Sequence, residues 1–556
     1  MASKDLSAAD AETRDSWLPM IVIALGQMIM SFNVAAIPVS MGGMVESFAT
    51  PPTTVGTAVV LYSLGVSGFI LLGAKLGQRF GSKRFFQGAV GLFGVAMVLM
   101  VLSPTAEFML AAQLLAGLAA AALVPTLVVL IADHYRGKQQ AEAVGWLGSA
   151  RAIAGVLAFV LVGFLASINW RLGFALLIGQ AVIILLLSFR LKPSVGRPGV
   201  GIDLAGVGLS AVAIILITFG VNNLRNWGVL TARSAAPFAV AGMSPAPLMI
   251  LVGVLILAGF LAWTLRRTGA GATPLLDLRV VQSPQEWAAV LCLFSIVGVE
   301  AAINFSVPLY IQIVQGRSGA ATSVAMMPFM LTVFFTAILV VRLYGRFTPR
   351  QIARAAFALV AAGALWLALV IRNDWSVFPV LLGLVTVGLG QGALVTLLFN
   401  VLVTAAPKEL SGDVGSLRGV TQNLAAAVGT AMIGALLVGL LTSVILGQLG
   451  DNPVITAELK DQVNLGNLNF FSDTQLKDRL GGTTATAEQM DEALRINAEA
   501  RTRALKMGFL VLSCLALLAL IPCGWLPDYR PGEIPPEKDL DTGRSPGRPG
   551  MAEGRT

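Results

Sequence analysis

Apolar residues in this chain come in long, nearly unbroken runs, not in the alternation of a strand or the narrow stripe of a surface helix. Each run is long enough to cross about 30 Å of hydrocarbon as a helix of about twenty residues. They fall at 18–37, 55–76, 85–102, 108–131, 141–165 and 172–189, then at 204–221 and 248–265, and again at 287–314, 321–341, 352–371, 378–404, 420–446 and 507–526. The pattern predicts an all-α integral membrane protein of fourteen transmembrane helices in groups of six, two and six. Its parts are an N-terminal segment at 1–17, an N-terminal six-helix bundle at 18–190, two linker helices at 204–266, and a C-terminal six-helix bundle at 286–526. The last bundle carries an external loop at 447–504, and a tail at 527–556, rich in Pro, Gly and charge, reads as disordered.

The polar breaks between runs carry a repeat. Ala74-Lys75-Leu76-Gly77-Gln78-Arg79-Phe80-Gly81-Ser82-Lys83 follows the second run, and Val341-Arg342-Leu343-Tyr344-Gly345-Arg346-Phe347-Thr348-Pro349-Arg350 follows the tenth. A basic turn at the same place in each half points to a duplicated bundle, the layout of a transporter. Lys and Arg are concentrated in the turns after even-numbered runs, among them Arg136, Lys138, Arg190, Lys192, Arg266, Arg267, Lys408 and Arg418, while the loops at 38–54 and 103–107 have none. The positive-inside rule therefore puts these turns, and both termini, in the cytoplasm of a cell whose inner membrane holds the protein. Within the long outer loop, 486–506 reads as a polar helix, acidic early and basic late, that feeds straight into the last run.

Composition agrees and narrows the function. The chain has 556 residues, 56% hydrophobic and 12% charged, with a mean hydropathy of +0.80, which leaves too little polar surface for a soluble protein of this size. The net charge of +8 is dispersed over short loops instead of forming a patch, which argues against nucleic-acid binding. One histidine, His134, stands in a basic stretch read as solvated. The three cysteines, Cys292, Cys514 and Cys523, lie inside apolar runs. Neither a metal site nor a nucleophile triad can be assembled from them, and no cofactor or enzymatic activity is expected.

The six-two-six pattern with its duplicated turn resembles the major facilitator superfamily, and within it the fourteen-span drug:proton antiporters, as a divergent member. The segments Asn169-Trp170-Arg171, Pro308-Leu309-Tyr310-Ile311-Gln312 and 415–430 carry the likeness further. That resemblance implies a monomeric multidrug efflux antiporter working by alternating access. In the family the turn reads Gly-x-Leu-Ala-Asp-Arg-x-Gly-Arg-Lys and its acid helps lock the cytoplasmic ends of the two halves. Here the acid is replaced by Gln78, the leading Gly by Ala74 and one closing base by Ser82, while Arg79, Gly81 and Lys83 remain. With Lys75, Arg346 and Arg350 these residues form the expected gating motif, and Asp133 is expected either to pair with Arg79 or Lys83 or to stand as a solvated helix end. The family's embedded Asp of the first span, its Arg of the fourth and its Gly-Pro of the fifth are also missing, with Gln113 at the fourth-span position and Gly155-Val156 in the fifth.

Charges buried in a bilayer need a partner or a task, since one near a span centre costs about 2.5–3.5 kcal/mol on insertion scales. Two stand out: Arg151, deep in the fifth run, and Glu300, deep in the ninth. They are the expected coupling pair, with Glu300 taking and releasing protons; a purely structural ion pair is the alternative. Glu300, Asn304 and Gln312 fall near one helical face, and with Gln27, Ser31, Asn33 and Gln113 they make the expected substrate cavity, although neutral polar residues such as Gln113, Gln391 and Asn400 are more often interhelical hydrogen bonds than ligand contacts. The expected cargo is an amphipathic or hydrophobic small molecule. The alternatives are export of a lipid or hydrophobic metabolite without proton coupling, and a membrane assembly protein that keeps the fold and transports nothing. A proton-coupled peptide carrier is disfavoured, because its Glu-x-x-Glu-Arg signature is absent from the first run.

Overall fold

In a computed structural model, residues 16–528 are described except for 456–472 and short stretches between helices, among them 234–235, 374–376 and 406–409; the expected tail past Asp528 and the first fifteen residues lie outside the described part. Fourteen helices among the described residues are long and apolar enough to cross a membrane. In chain order they are α1 (Leu18–Phe48), α2 (Pro52–Phe80), α3 (Ser82–Leu102), α4 (Ala106–His134), α5 (Gly137–Leu157, continued by a π-helical turn Ala158–Val162), α6 (Arg171–Ser188), α7 (Leu204–Trp227) and α8 (Pro245–Gly269). The second half follows as α9 (Pro284–Leu309, continued by a π-helical turn Tyr310–Val314), α10 (Gly319–Leu343), α11 (Pro349–Val370), α12 (Val377–Ala405) and α13 (Ser411–Gly450). A short outer helix, α14 (Asp473–Gly481), precedes the last span, α15 (Ala487–Leu518).

The duplication read from the turns extends to packing. In the first half α2 lies against α4, α3 against α4 and α6, and α1 against α5; in the second, α10 lies against α12, α11 against α12 and α15, and α9 against α13. Equivalent glycines set the closest approaches: a Cβ at Gly117 of α4 would collide with the Tyr62 carbonyl of α2, and one at Gly392 of α12 with the Val333 carbonyl of α10. Backbones drawn together over small residues are how helices associate where lipid is as apolar as their own side chains.

One boundary differs from the sequence reading. Helix α13 begins at Ser411, well before the apolar run, because its charged first turns are buried against the other half. Helix α15 is capped by Thr486, whose side chain and that of Gln489 bond reciprocally, and as the sequence predicted the polar outer helix and the last span are one rod. It closes a separate outer cluster with Leu441, Ile445, Ile455 and Leu480, inside which Arg501 pairs with Asp473 at 2.6 Å. The two linker helices pack differently from each other. Helix α7 lies in the seam, touching α2 of one half and α13 of the other, with Ile215 against Gly68; α8 covers it.

Candidate functional site

The ends of α2 and α13 meet across the two halves on the face that carries the basic turns. Lys75 is one turn before the end of α2 and Asp413 opens α13; Nζ and Oδ1 are 3.2 Å apart, with the two side chains 5% and 1% exposed. Three glycines of α13 seat the contact. Gly412 faces Gln78 and Val129, Gly415 faces Pro125 and Val128, and Gly419 faces Ile70 and Val124. A second acid, Asp277, stands nearby in the loop before α9, bonded to Arg279 at 2.7 Å. Burial pushes the Asp277 carboxyl up, but hydrogen bonds from Arg279 and the charges of Arg279 and Lys75 outweigh this and hold it below its ordinary value.

Other gating-motif residues have different tasks from those expected. Asp133 accepts from Ser82 Oγ at 2.7 Å and pairs with neither Arg79 nor Lys83. Lys83 Nζ donates to the Phe189 and Leu191 carbonyls at 2.8 and 2.7 Å, closing the free carbonyls at the end of α6. Gly81 has φ +89°, and a Cβ there would strike the Ser194 carbonyl at 2.6 Å, so only glycine fits this turn. In the second copy Arg350 pairs with Asp528 at 3.1 Å, fastening the start of the tail, while Arg79 and Arg346 are exposed. His134 is buried, not solvated: Lys192 N–H donates to Nε2 and Nδ1–H donates to the Leu130 carbonyl.

Above this closed end, toward the membrane centre, Arg151 of α5 reaches Glu300 of α9 with Nη2 3.4 Å from both carboxylate oxygens. The pair joins the two halves, and its side chains are 31% and 15% exposed. Asn304, one turn on from Glu300, has a buried Oδ1 without a hydrogen-bond partner; the side chain of Gln312 lies outside the described residues. On α1, Gln27 donates to Ser31 at 3.1 Å, both half-buried, and Val34 continues that face toward open space. Asn33 and Gln113 are fully buried and bonded to each other at 2.9 Å, so they tie α1 to α4 and do not reach the space between the halves.

One charge near this pair escaped the sequence reading. Arg418, counted there as a loop residue, lies inside α13 and is 5% exposed. Its guanidinium stacks 3.8 Å over the Phe399 ring; among the described residues its Nε has no hydrogen-bond partner, and the charged group that bears on it is Arg151, not an acid. The polar atoms Gln391 Oε1, Thr396 Oγ1 and Gln422 Nε2 nearby in the sequence of α12 and α13 are likewise buried and unpartnered.

This arrangement has known counterparts. The profile of the Major Facilitator Superfamily matches residues 23–430. The chain belongs to that superfamily. It is 25% identical over 425 residues to the multidrug efflux pump LfrA of Mycolicibacterium smegmatis, covering 76% of this chain and 81% of that one. It is 28% identical over 441 residues to a probable actinorhodin transporter of Streptomyces coelicolor, covering 76% and 71%. Among solved structures it resembles the proton:xylose symporter XylE, with a TM-score of 0.55 at 13% identity over 91% of this chain and 94% of that one, a likeness of fold. As a superfamily member the protein is a membrane transporter and not an enzyme, in agreement with the expected class.

Proposed function

We propose that the protein is a secondary active exporter of amphipathic or hydrophobic small molecules that works by alternating access. The Glu300–Arg151 pair couples export to protons, the basic face is cytoplasmic, both termini lie there, and the membrane is the inner one. The observation that carries this reading is the contrast along the seam. Its basic end is sealed by a buried inter-half ion pair, Lys75–Asp413, whereas Arg151 farther along is 31% exposed, as befits a chamber closed to the cytoplasm and open away from it. The efflux-pump relatives agree in kind. A second reading, export of a lipid or hydrophobic metabolite without protons, draws on the same pair: a carboxylate that keeps its Arg partner never releases a proton.

The two readings separate in inside-out membrane vesicles with an acidic lumen. The protein is expected to accumulate the neutral dye Nile red in the lumen several times faster than vesicles lacking it, and a protonophore should remove the difference. Accumulation that persists without the gradient leaves the second reading standing, and no protein-dependent movement removes both.

A further inference from the structure

The charges of the chamber do not balance. Lys75 and Asp413 neutralise each other at the closed end, and Arg151 and Glu300 do so above it. Among the described residues Arg418 is left over, buried, with a ring for a neighbour and no acid beside it. A buried cation without an anion is among the costliest groups a membrane protein can hold, and stacking on Phe399 offsets only part of that cost. It also stands near Arg151, a like charge, which aggravates the imbalance. Arg418 lies five residues after Asp413, about 7.5 Å of helix rise, so it stands deeper in the membrane than the gate pair. The hydrogen-bonding groups of Gln391, Thr396 and Gln422 that lack partners are further unsatisfied capacity on the same two helices.

We propose that the chamber takes substrates bearing one anionic group, of the carboxylate kind, on an apolar body, with the anion docked between Arg418 and Arg151. A carboxylate fits the planar fork of a guanidinium through paired N–H donors, and one bound monoanion brings the three chamber charges to neutrality. The apolar body then lies along α1 and α9, where Val34 and Phe305 flank the polar positions. The site would discriminate against amphiphiles carrying a permanent positive charge, which would meet an uncompensated cation at the chamber floor. This inference rests on reading the chamber as the transport site, but it concerns equilibrium recognition and not coupling.

The test is therefore a binding measurement with no gradient, in lipid nanodiscs with empty discs subtracted, using dansylaminoundecanoic acid and its methyl ester. The wild-type protein is expected to bind the acid at least tenfold more tightly than the ester. Arg418→Gln should bring the two within about twofold, and an unchanged size-exclusion profile and thermal unfolding midpoint of the variant certify the fold. Arg418→Lys should keep a preference for the acid, and Glu300→Gln, which leaves two cations without a counter-charge, should enlarge it. Equal binding of acid and ester by the wild type, survival of the full preference in Arg418→Gln, or a preference that falls in Glu300→Gln would each overturn the proposal. If Arg418→Gln loses ester binding as well, the Glu300→Gln result decides alone. A failure of gradient-driven dye accumulation would leave all of these readings interpretable.

Discussion

Asp413→Leu is expected to open the gate at the basic end. The substitution leaves the Lys75 ammonium, 5% exposed in the closed gate, without its buried partner, and breaking a buried ion pair from one side costs about 3–5 kcal/mol. Asp277 is close enough to bear on Lys75 and reduces that cost toward the lower figure. When the halves part at this end the ammonium meets water and the cost largely vanishes, so the variant penalises one conformation only. At 1.4 kcal/mol per factor of ten, a penalty near 3 kcal/mol shifts the open-to-closed ratio by roughly a hundredfold. Val128, buried at 3% against Gly415, is the reporter. A cysteine there should react with an impermeant maleimide added on the side of the basic turns at least tenfold faster in the Asp413→Leu background. The double variant Lys75→Leu with Asp413→Leu, which replaces the pair by apolar groups, should return most of the protection. Equal labelling in all three backgrounds means that the pair does not hold the gate.

Glu300→Gln is expected to reduce gradient-driven dye accumulation at least tenfold, to the level reached with a protonophore. The amide matches the carboxylate in shape and offers hydrogen bonds, but it cannot exchange a proton, and it leaves Arg151 unpaired at 31% exposure. Loss of flux from an unpaired cation has to be distinguished from loss of proton exchange. Arg151→Gln with Glu300→Gln removes both charges and with them the electrostatic penalty. That double variant should bind dye within about twofold of wild type and still fail to respond to the gradient. Recovery of gradient-driven accumulation in the double variant would assign the pair a structural role.

Much of this architecture was legible because a bilayer imposes simple constraints on sequence. Spans must be long and apolar, so all fourteen runs coincide with membrane-length helices, and an Arg or Glu in the middle of such a run is conspicuous. That is why Arg151 and Glu300 stood out and why their side chains meet at 3.4 Å. Charges near span ends carry no such signal. Lys75 and Arg418 read as turn residues of the positive-inside pattern, and Asp413 as part of a loop, because hydropathy cannot distinguish a solvated turn from a helix end buried against the opposite half. The spacing of Gly412, Gly415 and Gly419, three and four residues apart on one helical face, was the available clue that α13 starts early and packs closely. Asn33 and Gln113 illustrate the converse. Polar residues on apolar helices suggested a cavity, and the structure brings them together as a buried pair, a contact between α1 and α4 that no periodicity within either helix encodes.

The central claim is that two halves rock about a shared chamber so that its two ends are never open together. Spin labels placed in a background free of Cys292, Cys514 and Cys523 test it most directly. One pair, at the exposed positions Arg79 and Arg346, reports the basic end; another, at the exposed positions Glu46 and Phe378, reports the opposite end. Pulsed electron-spin distance measurements in nanodiscs should give two distances for each pair, with the short basic-end distance accompanying the long opposite-end one. Asp413→Leu should shift both populations in opposite senses. A single unchanging distance at both ends in labelled protein that still moves dye, or ends that widen together, would contradict the account.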